Sequence, residues 1–437
     1  MRWIIVGAGS AGCVVARRLI DAGHDVVLIE SGPPLRPGAV PASIDGPDSF
    51  AAIRAHGRTY PDLLARRTES SAPTPYLRGR GEGGSSAVNF MVGLRGDLNL
   101  YASWGWHDAA ECFDMIEVPT ETAAESERGR VSTALLEAHV ETTPSRLTRR
   151  NARRVTAAES YLWPVLDRFE AVADTTVDRV RFDSSGRAIG VLTADGVSID
   201  ADAVVLAAGA IHSPAIALRS GVGGADGGEV GRGLADHPAV GLTLRLKSGS
   251  SSFGLSTSTI LDLDPIQILP LDHLGAHAPT DLAMLLVGLM RPQSAAGSVS
   301  LRSDDPNDHP HVDLGLLCDD ADVERLRGGV HQARDVLDTT PFRSLVAEVF
   351  VDDIGTPLTS LRTNDDVDRW ITSRGADYVH ASSSMSRTLG EVGAVLGHEQ
   401  LWVADASAFP SIPNVNTHLP TMMLAERFVR AWIDGVA

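Results

Sequence analysis

Apolar runs and polar interruptions along the first thirty residues follow the order strand, helix, strand. Residues 3–6 and 26–29 are continuous apolar runs of strand length, and the stretch between them is helix-like. A glycine-rich turn joins the first run to this stretch. Two short apolar strands linked by one helix predict a parallel βαβ unit at the start of the chain.

The remaining pattern predicts further strands in two layers. Residues 169–202 alternate between apolar and polar positions and are broken by turns at 183–186 and 195–196, which is typical of an antiparallel meander. A buried strand at 203–210 ends in small residues, and residues 239–315 alternate like strands of a second layer. A helix is predicted from about residue 320 to residue 337, and the end of the chain returns to the first domain.

Three glycines and one acid give the first unit its chemistry. Gly7 permits the tight turn out of the strand, Gly9 lets the backbone approach a pyrophosphate, and Gly12 allows the helix to pack closely on the strand. The pyrophosphate would lie at the helix N-terminus, where free amides favour negative charge. Glu30 ends the second strand and is placed to accept hydrogen bonds from a ribose. The unit therefore predicts binding of FAD or NAD rather than NADP.

Composition narrows the function classes. The chain has 437 residues, enough for two domains, and its net charge of -18 disfavours nucleic acid and anionic membrane surfaces as partners. The three cysteines lack the spacing of metal ligands, so neither a disulfide framework nor a metal site is predicted. No apolar run reaches membrane-spanning length and the first strand begins almost at once, so no integral membrane segment and a cytoplasmic location are expected.

Four later segments make the chain resemble the glucose-methanol-choline (GMC) family of FAD-dependent oxidoreductases. They are residues 79–89, with a Gly-Gly-Ser-Ser and a final Asn like the family's flavin loop, and residues 209–223, 230–238 and 402–421. The resemblance implies an α/β fold: a Rossmann-like FAD-binding domain with a second substrate domain built on an antiparallel sheet. We expect a discontinuous FAD-binding domain (1–100, 160–238 and 395–437), a surface or lid segment (101–159) and a substrate-binding domain (239–394).

The same resemblance implies the cofactor contacts. Val88 stands where some relatives attach FAD through a histidine, so noncovalent FAD is expected. The residues implied to contact FAD, beyond the three glycines and the acid of the first unit, are Gly83, Gly84, Ser85, Asn89, Val177, Ala208, Asp405, Ala406 and Thr417.

The implied reaction is oxidation of a small-molecule alcohol to an aldehyde or ketone. A flavin takes the hydride at N5, and a side chain must take the hydroxyl proton. The family's motif places His380 as this base and Asn416 as a hydrogen-bond partner of the substrate oxygen. His418 is the rival, because alternation along an extended segment would put residues 416 and 418 on one face. His237, His309 and His311 are expected to be structural or surface residues.

Three alternatives stay open at this point. The chain is shorter than most members of the family, which would suit a carrier-linked dehydrogenase of the mycofactocin-associated type. A non-redox flavoprotein lyase of the same fold is a second alternative, and a regulatory flavoprotein without turnover is a third. The motifs do not identify the electron acceptor, although a dehydrogenase is preferred over an oxidase.

Overall fold

The computed structural model describes residues 1–224, 227–247 and 254–435. Residues 225–226 and 436–437, in the predicted FAD-binding domain, and 248–253, in the predicted substrate-binding domain, lie outside the described residues. The mixed α/β architecture confirms the predicted fold class. No helix among the described residues is long and apolar enough to cross a bilayer.

A parallel sheet of five strands forms the first domain. Its spatial order is Glu170–Val172, Asp25–Ile29, Arg2–Val6, Ala203–Leu206 and Leu401–Val403. Near-continuous apolar runs form these strands because both faces of a parallel sheet are covered. The helices Ser10–Asp21, Gly209–Arg219 and His418–Ile433 belong to this domain. The βαβ start and the return of the chain end are confirmed. The strand predicted at 203–210 ends at Leu206, and Gly209 and Ala210 begin a helix.

An antiparallel meander follows, as predicted, but it begins at Val177, because Glu170–Val172 pairs parallel with Asp25–Ile29 at the edge of the first sheet. Its strands are Val177–Phe182, Ala188–Thr193 and Ser198–Asp200. The turn at 183–186 closes through the Asp183 side chain, which accepts hydrogen bonds from the backbone of Ser185 and Arg187. The meander leads directly into the central strand Ala203–Leu206.

The second large sheet is antiparallel. It is built from Thr142–Pro144, Pro238–Leu246, Thr259–Leu263, Ile266–Leu271, Leu282–Leu289, Val346–Phe350 and the short strand Ala376–Asp377. The predicted helix is found at Asp320–Leu337, and a Cβ on its Gly329 would lie 2.9 Å from Ile266 and 3.0 Å from Val287. This contact places the helix on one face of the sheet. Because side chains alternate, Leu269, Leu271 and Leu286 project from the other face.

The segment 101–159, expected to be a surface or lid region, also contributes to the core. Tyr101, Phe113 and Leu135 are fully buried, and Thr142–Pro144 is a strand of the second sheet. The remaining α-helices of the described residues are Ala42–Asp45, Ser49–Ile53, Leu98–Ser103, Ala109–Asp114, Arg130–Ala138, Thr340–Leu345 and Asn364–Arg374. A further sheet contains Leu64–Arg66, Thr74–Pro75, Arg232–Leu234, Gly297–Ser300 and His311–Asp313, and short pairs join Glu121–Thr122 to Arg146–Leu147 and Arg149–Arg150 to Arg153–Arg154.

Candidate active site

The first glycine-rich turn has the geometry that its three glycines predict. Gly7 has a φ of 104°, and a Cβ there would lie 2.6 Å from the carbonyl oxygen of Ala207. A Cβ on Gly12 would lie only 1.9 Å from the carbonyl oxygen of Gly7, so the helix touches the strand. A Cβ on Gly9, in contrast, would meet no atom within 4 Å. Gly9 therefore presents bare backbone to open space.

The second glycine-rich loop packs against the first. Gly83 donates its backbone N–H to the carbonyl of Ala8 at 2.8 Å, and a Cβ on Gly84 would lie 2.7 Å from Cα of Gly9. Both residues have positive φ, 88° and 50°, which is the region glycine adopts without strain. The Ser85 hydroxyl accepts the backbone N–H of Gly79 at 3.2 Å. The two loops thus form one continuous backbone surface.

Glu30 connects three loops at this surface. Its carboxylate accepts hydrogen bonds from the backbone N–H of Ala8 at 2.8 Å, Gly32 at 2.9 Å and Gly81 at 2.9 Å. The Ser31 hydroxyl also donates to Oε1 at 3.2 Å, whereas Oε2 accepts only from Ala8 among the described residues and keeps a lone pair for a ribose hydroxyl. The residue lies at the wall of the main cavity, and its contact with a ribose stays a prediction.

A cavity of about 830 Å³ joins these loops to the predicted catalytic residues. This volume lies within the range typical of cofactor and ligand sites. The predicted site residues that line it are Gly7, Gly9, Glu30, Gly84, Ser85, Asn89, Val177, Ala208, His380, Asp405, Ala406, Asn416, Thr417 and His418. Gly12 and Gly83 are not in its wall, although their close backbone contacts shape the two loops.

The cavity fits the FAD that the sequence implies. One end offers bare glycine backbone and a helix N-terminus, which suit a pyrophosphate. In the same cavity wall, Oδ1 of Asn416 and Nε2 of His418 are buried and have no hydrogen-bond partner among the described residues. Buried polar atoms are normally satisfied, so their orphaned state at a cavity wall indicates a polar ligand.

Asp405 fastens the C-terminal strand to the helix Gly209–Arg219. One carboxylate oxygen accepts from the Gly209 backbone at 2.8 Å and the Ser213 hydroxyl at 2.5 Å, and the other accepts from the backbone and hydroxyl of Ser407. Burial raises the pKa of Asp405, and these four hydrogen bonds oppose that rise. Because both oxygens of its carboxylate accept hydrogen bonds from the protein, Asp405 holds in place the part of the cavity wall that contains Asp405 and Ala406.

Two predicted catalytic residues meet directly. Nε2 of His380 lies 3.4 Å from the side-chain nitrogen of Asn416, and both residues line the cavity. On its other side, Nδ1 of His380 lies 2.8 Å from Nδ1 of His237. Burial lowers the pKa of His380 well below its ordinary value, and His237 and Arg78 lower it further. The imidazole is therefore neutral near pH 7 and can accept a proton.

His418 lies elsewhere in the cavity wall. Its Nδ1 is 3.1 Å from the Ser10 hydroxyl at the start of the first helix. The extended segment predicted for residues 416–418 is wrong, because Thr417 has φ −76° and ψ −1° and His418 begins the last helix. Burial lowers the pKa of His418 to about 4. Asn416, and not His418, is thus the hydrogen-bond neighbour of His380.

Two cavity residues, and one residue behind the cavity wall, were not among the predicted site residues. His237, expected to be structural, contacts His380, and its place in the Asp236-His237-Pro238 part of a family segment was the available signal. His309 and His212 line the cavity beside Tyr60, with ring centroids 5.4 and 4.5 Å from the Tyr60 ring. His212 lies in the family-like segment 209–223, whereas no local pattern marks His309. His311 is exposed, as predicted.

An apolar wall faces the same cavity. Its five members, all lining the cavity, are Phe90, Val92, Leu269, Leu271 and Leu286. They pack in one hydrophobic cluster with Tyr378, whose ring centroid is 5.3 Å from that of His380. A substrate within reach of His380 would therefore contact hydrocarbon side chains.

Comparison with known proteins finds relatives along nearly the whole chain. A 5-(hydroxymethyl)furfural oxidase from a Methylovorus species is 28% identical over an alignment of 521 residues that covers 98% of each chain. Human mitochondrial choline dehydrogenase is 27% identical, with 97% of this chain and 88% of the relative covered.

Solved structures share the fold. Pyridoxine 4-oxidase from Mesorbium loti superposes with a TM-score of 0.87 at 22% identity, covering 99% of both chains. Formate oxidase from Aspergillus oryzae has a TM-score of 0.85 at 19% identity, covering 100% of this chain and 99% of the other. Family models described as GMC oxidoreductase match residues 134–239 and 292–425, which together are more than half of the chain. The protein therefore belongs to the GMC oxidoreductase family.

Proposed function

We propose that the protein oxidises an alcohol to an aldehyde or ketone with FAD as the electron acceptor and His380 as the base. The observation that carries the proposal is the pairing of His380 Nε2 with the Asn416 amide in one cavity with the dinucleotide loops. A neutral imidazole beside an amide donor can receive a hydroxyl proton while the amide holds the oxygen.

The protein residues divide the work as follows. His380 would take the proton as the alcohol O–H bond breaks, and the side-chain N–H of Asn416 would donate to the oxygen as it becomes a carbonyl. A bound FAD would supply the acceptor for the hydride that leaves the carbinol carbon. The glycine loops and Glu30 would hold its ADP half, and the wall at Ala406 and Thr417 would meet its ring system.

We propose an uncharged alcohol with an apolar or aromatic body as the substrate. The apolar wall offers it hydrocarbon contacts. Asp377 is a carboxylate of the cavity wall and stands three positions before His380 in the sequence. Its side chain is 1% exposed and is paired with Arg67 at 2.5 Å. It is therefore not free to meet a quaternary ammonium group. The furfural-type alcohol in one relative's name suits this wall better than the choline in another's.

Noncovalent FAD, a dehydrogenase rather than an oxidase, and a cytoplasmic location complete the proposal. Val88 lines the cavity, and its side chain has no nucleophilic atom for attachment to the flavin.

The decisive experiment is the anaerobic visible spectrum of the holoenzyme during addition of benzyl alcohol, hexanol or choline, followed by air. We expect the first two to bleach the flavin band, with slow return in air. His380→Ala should slow bleaching by about 10²- to 10⁴-fold with FAD retained. His311→Ala, at an exposed histidine, is the matched control. Turnover without bleaching would indicate a lyase, and equal bleaching by the His380 variant would refute the assigned base.

A further inference from the structure

His237 lies directly behind the proposed base and has no access to solvent. Its relative exposure is 0%, and it immediately precedes the strand Pro238–Leu246. The ring is perpendicular to that of His380, with an interplanar angle of 89°. Its Nδ1 is 2.8 Å from Nδ1 of His380, and its Nε2 is 2.9 Å from the carbonyl oxygen of Pro413. Both ring nitrogens of His237 are thus engaged.

These two contacts determine where the protons are. The Pro413 carbonyl can only accept, so Nε2 of His237 must carry a hydrogen and donate it. Burial lowers the pKa of His237 to about 3 although hydrogen bonds to the backbone of Pro413 and Met290 raise it, so the ring is neutral and its Nδ1 has a lone pair. A hydrogen bond between the two Nδ1 atoms then requires His380 to carry its hydrogen on Nδ1. Nε2 of His380 is left with the lone pair, which faces the side-chain N–H of Asn416 at 3.4 Å.

We propose that His237 is a positioning residue that fixes the proposed base, His380, in the Nδ1–H tautomer with its Nε2 lone pair directed at the substrate hydroxyl. This inference rests on the proposed function of the same site. When Nε2 takes the substrate proton, the Nδ1–H···Nδ1 bond stays in place and becomes charge-assisted. Because His237 is neutral, it orients the base without the large rise in basicity that a carboxylate partner would cause.

Asp236, the carboxylate next to the His237–His380 pair, does not hydrogen-bond to the ring nitrogens of His380. Asp236 accepts the backbone N–H of His380 at 2.9 Å, the backbone N–H of His237 at 2.7 Å and the Tyr76 hydroxyl at 2.6 Å. Its carboxylate therefore fixes the two backbones and not the ring nitrogens. Burial and the nearby Asp377 raise the pKa of Asp236.

The other charged and titratable neighbours also bind groups other than the ring nitrogens of His380, which contact His237 and Asn416. Arg78 donates to the carbonyl of Val379, and the Tyr378 hydroxyl lies 3.4 Å from two strand carbonyls, those of Gln267 and Leu286.

A shared proton explains the spacing better than a shared metal ion. One ligand atom each from Asp236, His237 and His380 lies within 4.8 Å of the others. Two imidazole nitrogens on one tetrahedral zinc ion would stand about 3.3 Å apart, given Zn–N distances of about 2.0–2.1 Å. The observed 2.8 Å is a hydrogen-bond distance.

The tautomer can be measured without any substrate. Holoenzyme labelled with ¹⁵N-histidine is recorded by long-range ¹H–¹⁵N correlation, and the His380 signals are assigned by their loss in His380→Ala. We expect Nδ1 of His380 to be protonated and Nε2 to resonate as an unprotonated nitrogen. The opposite tautomer, or a charged ring at pH 7, would overturn the inference even if the enzyme oxidises alcohols.

A matched pair of variants tests the effect on the reaction. His237→Asn keeps an acceptor oxygen near the position of Nδ1, whereas His237→Leu removes it. We expect His237→Leu to lower kcat at least about tenfold, with a smaller change in KM. The upper bound is about 10⁴-fold, the loss that a wrong histidine tautomer causes in a catalytic triad. His237→Asn should recover most of that loss and the Nδ1–H signal.

Equal kcat values in the two variants would contradict the role. If neither variant folds, the wild-type spectrum still decides the tautomer. Should the tautomer be as expected while no alcohol bleaches the flavin, the proposed function fails and the proton assignment stands.

Discussion

Gly12 and Gly9 allow the fold to be perturbed separately from cofactor binding. In Gly12→Ala the new methyl group would lie 1.9 Å from the carbonyl oxygen of Gly7. To reach an ordinary contact of 3.4 Å, the helix Ser10–Asp21 would have to move by about 1.5 Å. In Gly9→Ala the methyl group would meet no heavy atom within 4 Å. The φ of Gly9 is −78°, which alanine adopts freely.

These contacts predict opposite effects. The helix Ser10–Asp21 is buried along Ala11 to Ala16, so its displacement should destabilise Gly12→Ala by about 3 kcal/mol or more. That loss corresponds to a fall in melting temperature of roughly 5 °C or more. Gly9→Ala should change stability by less than about 0.5 kcal/mol. It should nevertheless weaken FAD binding at least tenfold, about 1.4 kcal/mol, because the methyl group occupies the space of the pyrophosphate.

The assay pairs calorimetry of the FAD-free protein with a titration of FAD fluorescence quenching. Wild-type FAD affinity in Gly9→Ala would show that the pyrophosphate does not approach this backbone. A wild-type melting temperature in Gly12→Ala would show that the helix and strand are less closely packed than the 1.9 Å approach requires.

Three further results are expected. Asn416→Ala should lower kcat/KM roughly 10- to 100-fold in steady-state assays while FAD stays bound, since one hydrogen bond to a developing charge is worth about 1.5–3 kcal/mol; an unchanged value would exclude contact with the substrate oxygen. Acid precipitation should release all the yellow colour into the supernatant, and a yellow pellet would instead mean covalent FAD. The free energy of unfolding should decrease as the pH is lowered below about 6.5. The pKa of His237 is about 3 in the folded protein and about 6.5 in the unfolded chain, so between these two pH values only the unfolded chain binds this proton. Chemical denaturation at pH 7, 6 and 5 gives the slope of the unfolding free energy against pH. This slope should be smaller in His237→Asn than in the wild type by up to about 1.4 kcal/mol per pH unit, and equal slopes would contradict the buried neutral ring.

Local patterns predicted the elements whose signal lies within a short window. The helix at Asp320–Leu337 and the first βαβ unit follow from periodicity, and Gly7 and Gly12 occupy the backbone positions that only glycine fits. The apolar composition of 239–315 predicted strands but not their order. In the structure a strand from 142–144 joins that sheet, because an edge position is open beside Thr259–Leu263. Such a pairing joins residues more than a hundred positions apart, and no window of sequence contains it.

The residues in contact with the His380 ring could not be predicted from the sequence for the same reason. Its sequence motif identified the residue, but its ring partner stands 143 positions earlier. The two meet because Ala376–Asp377 pairs antiparallel with the start of Pro238–Leu246, with Pro238 opposite Asp377 and Ala239 opposite Ala376. A slip of one residue in that register would turn each side chain to the opposite face. The reactivity of the proposed base thus depends on strand register in the second sheet, whereas cofactor binding depends on glycines in the first domain. The cavity lies where these two separately specified surfaces meet.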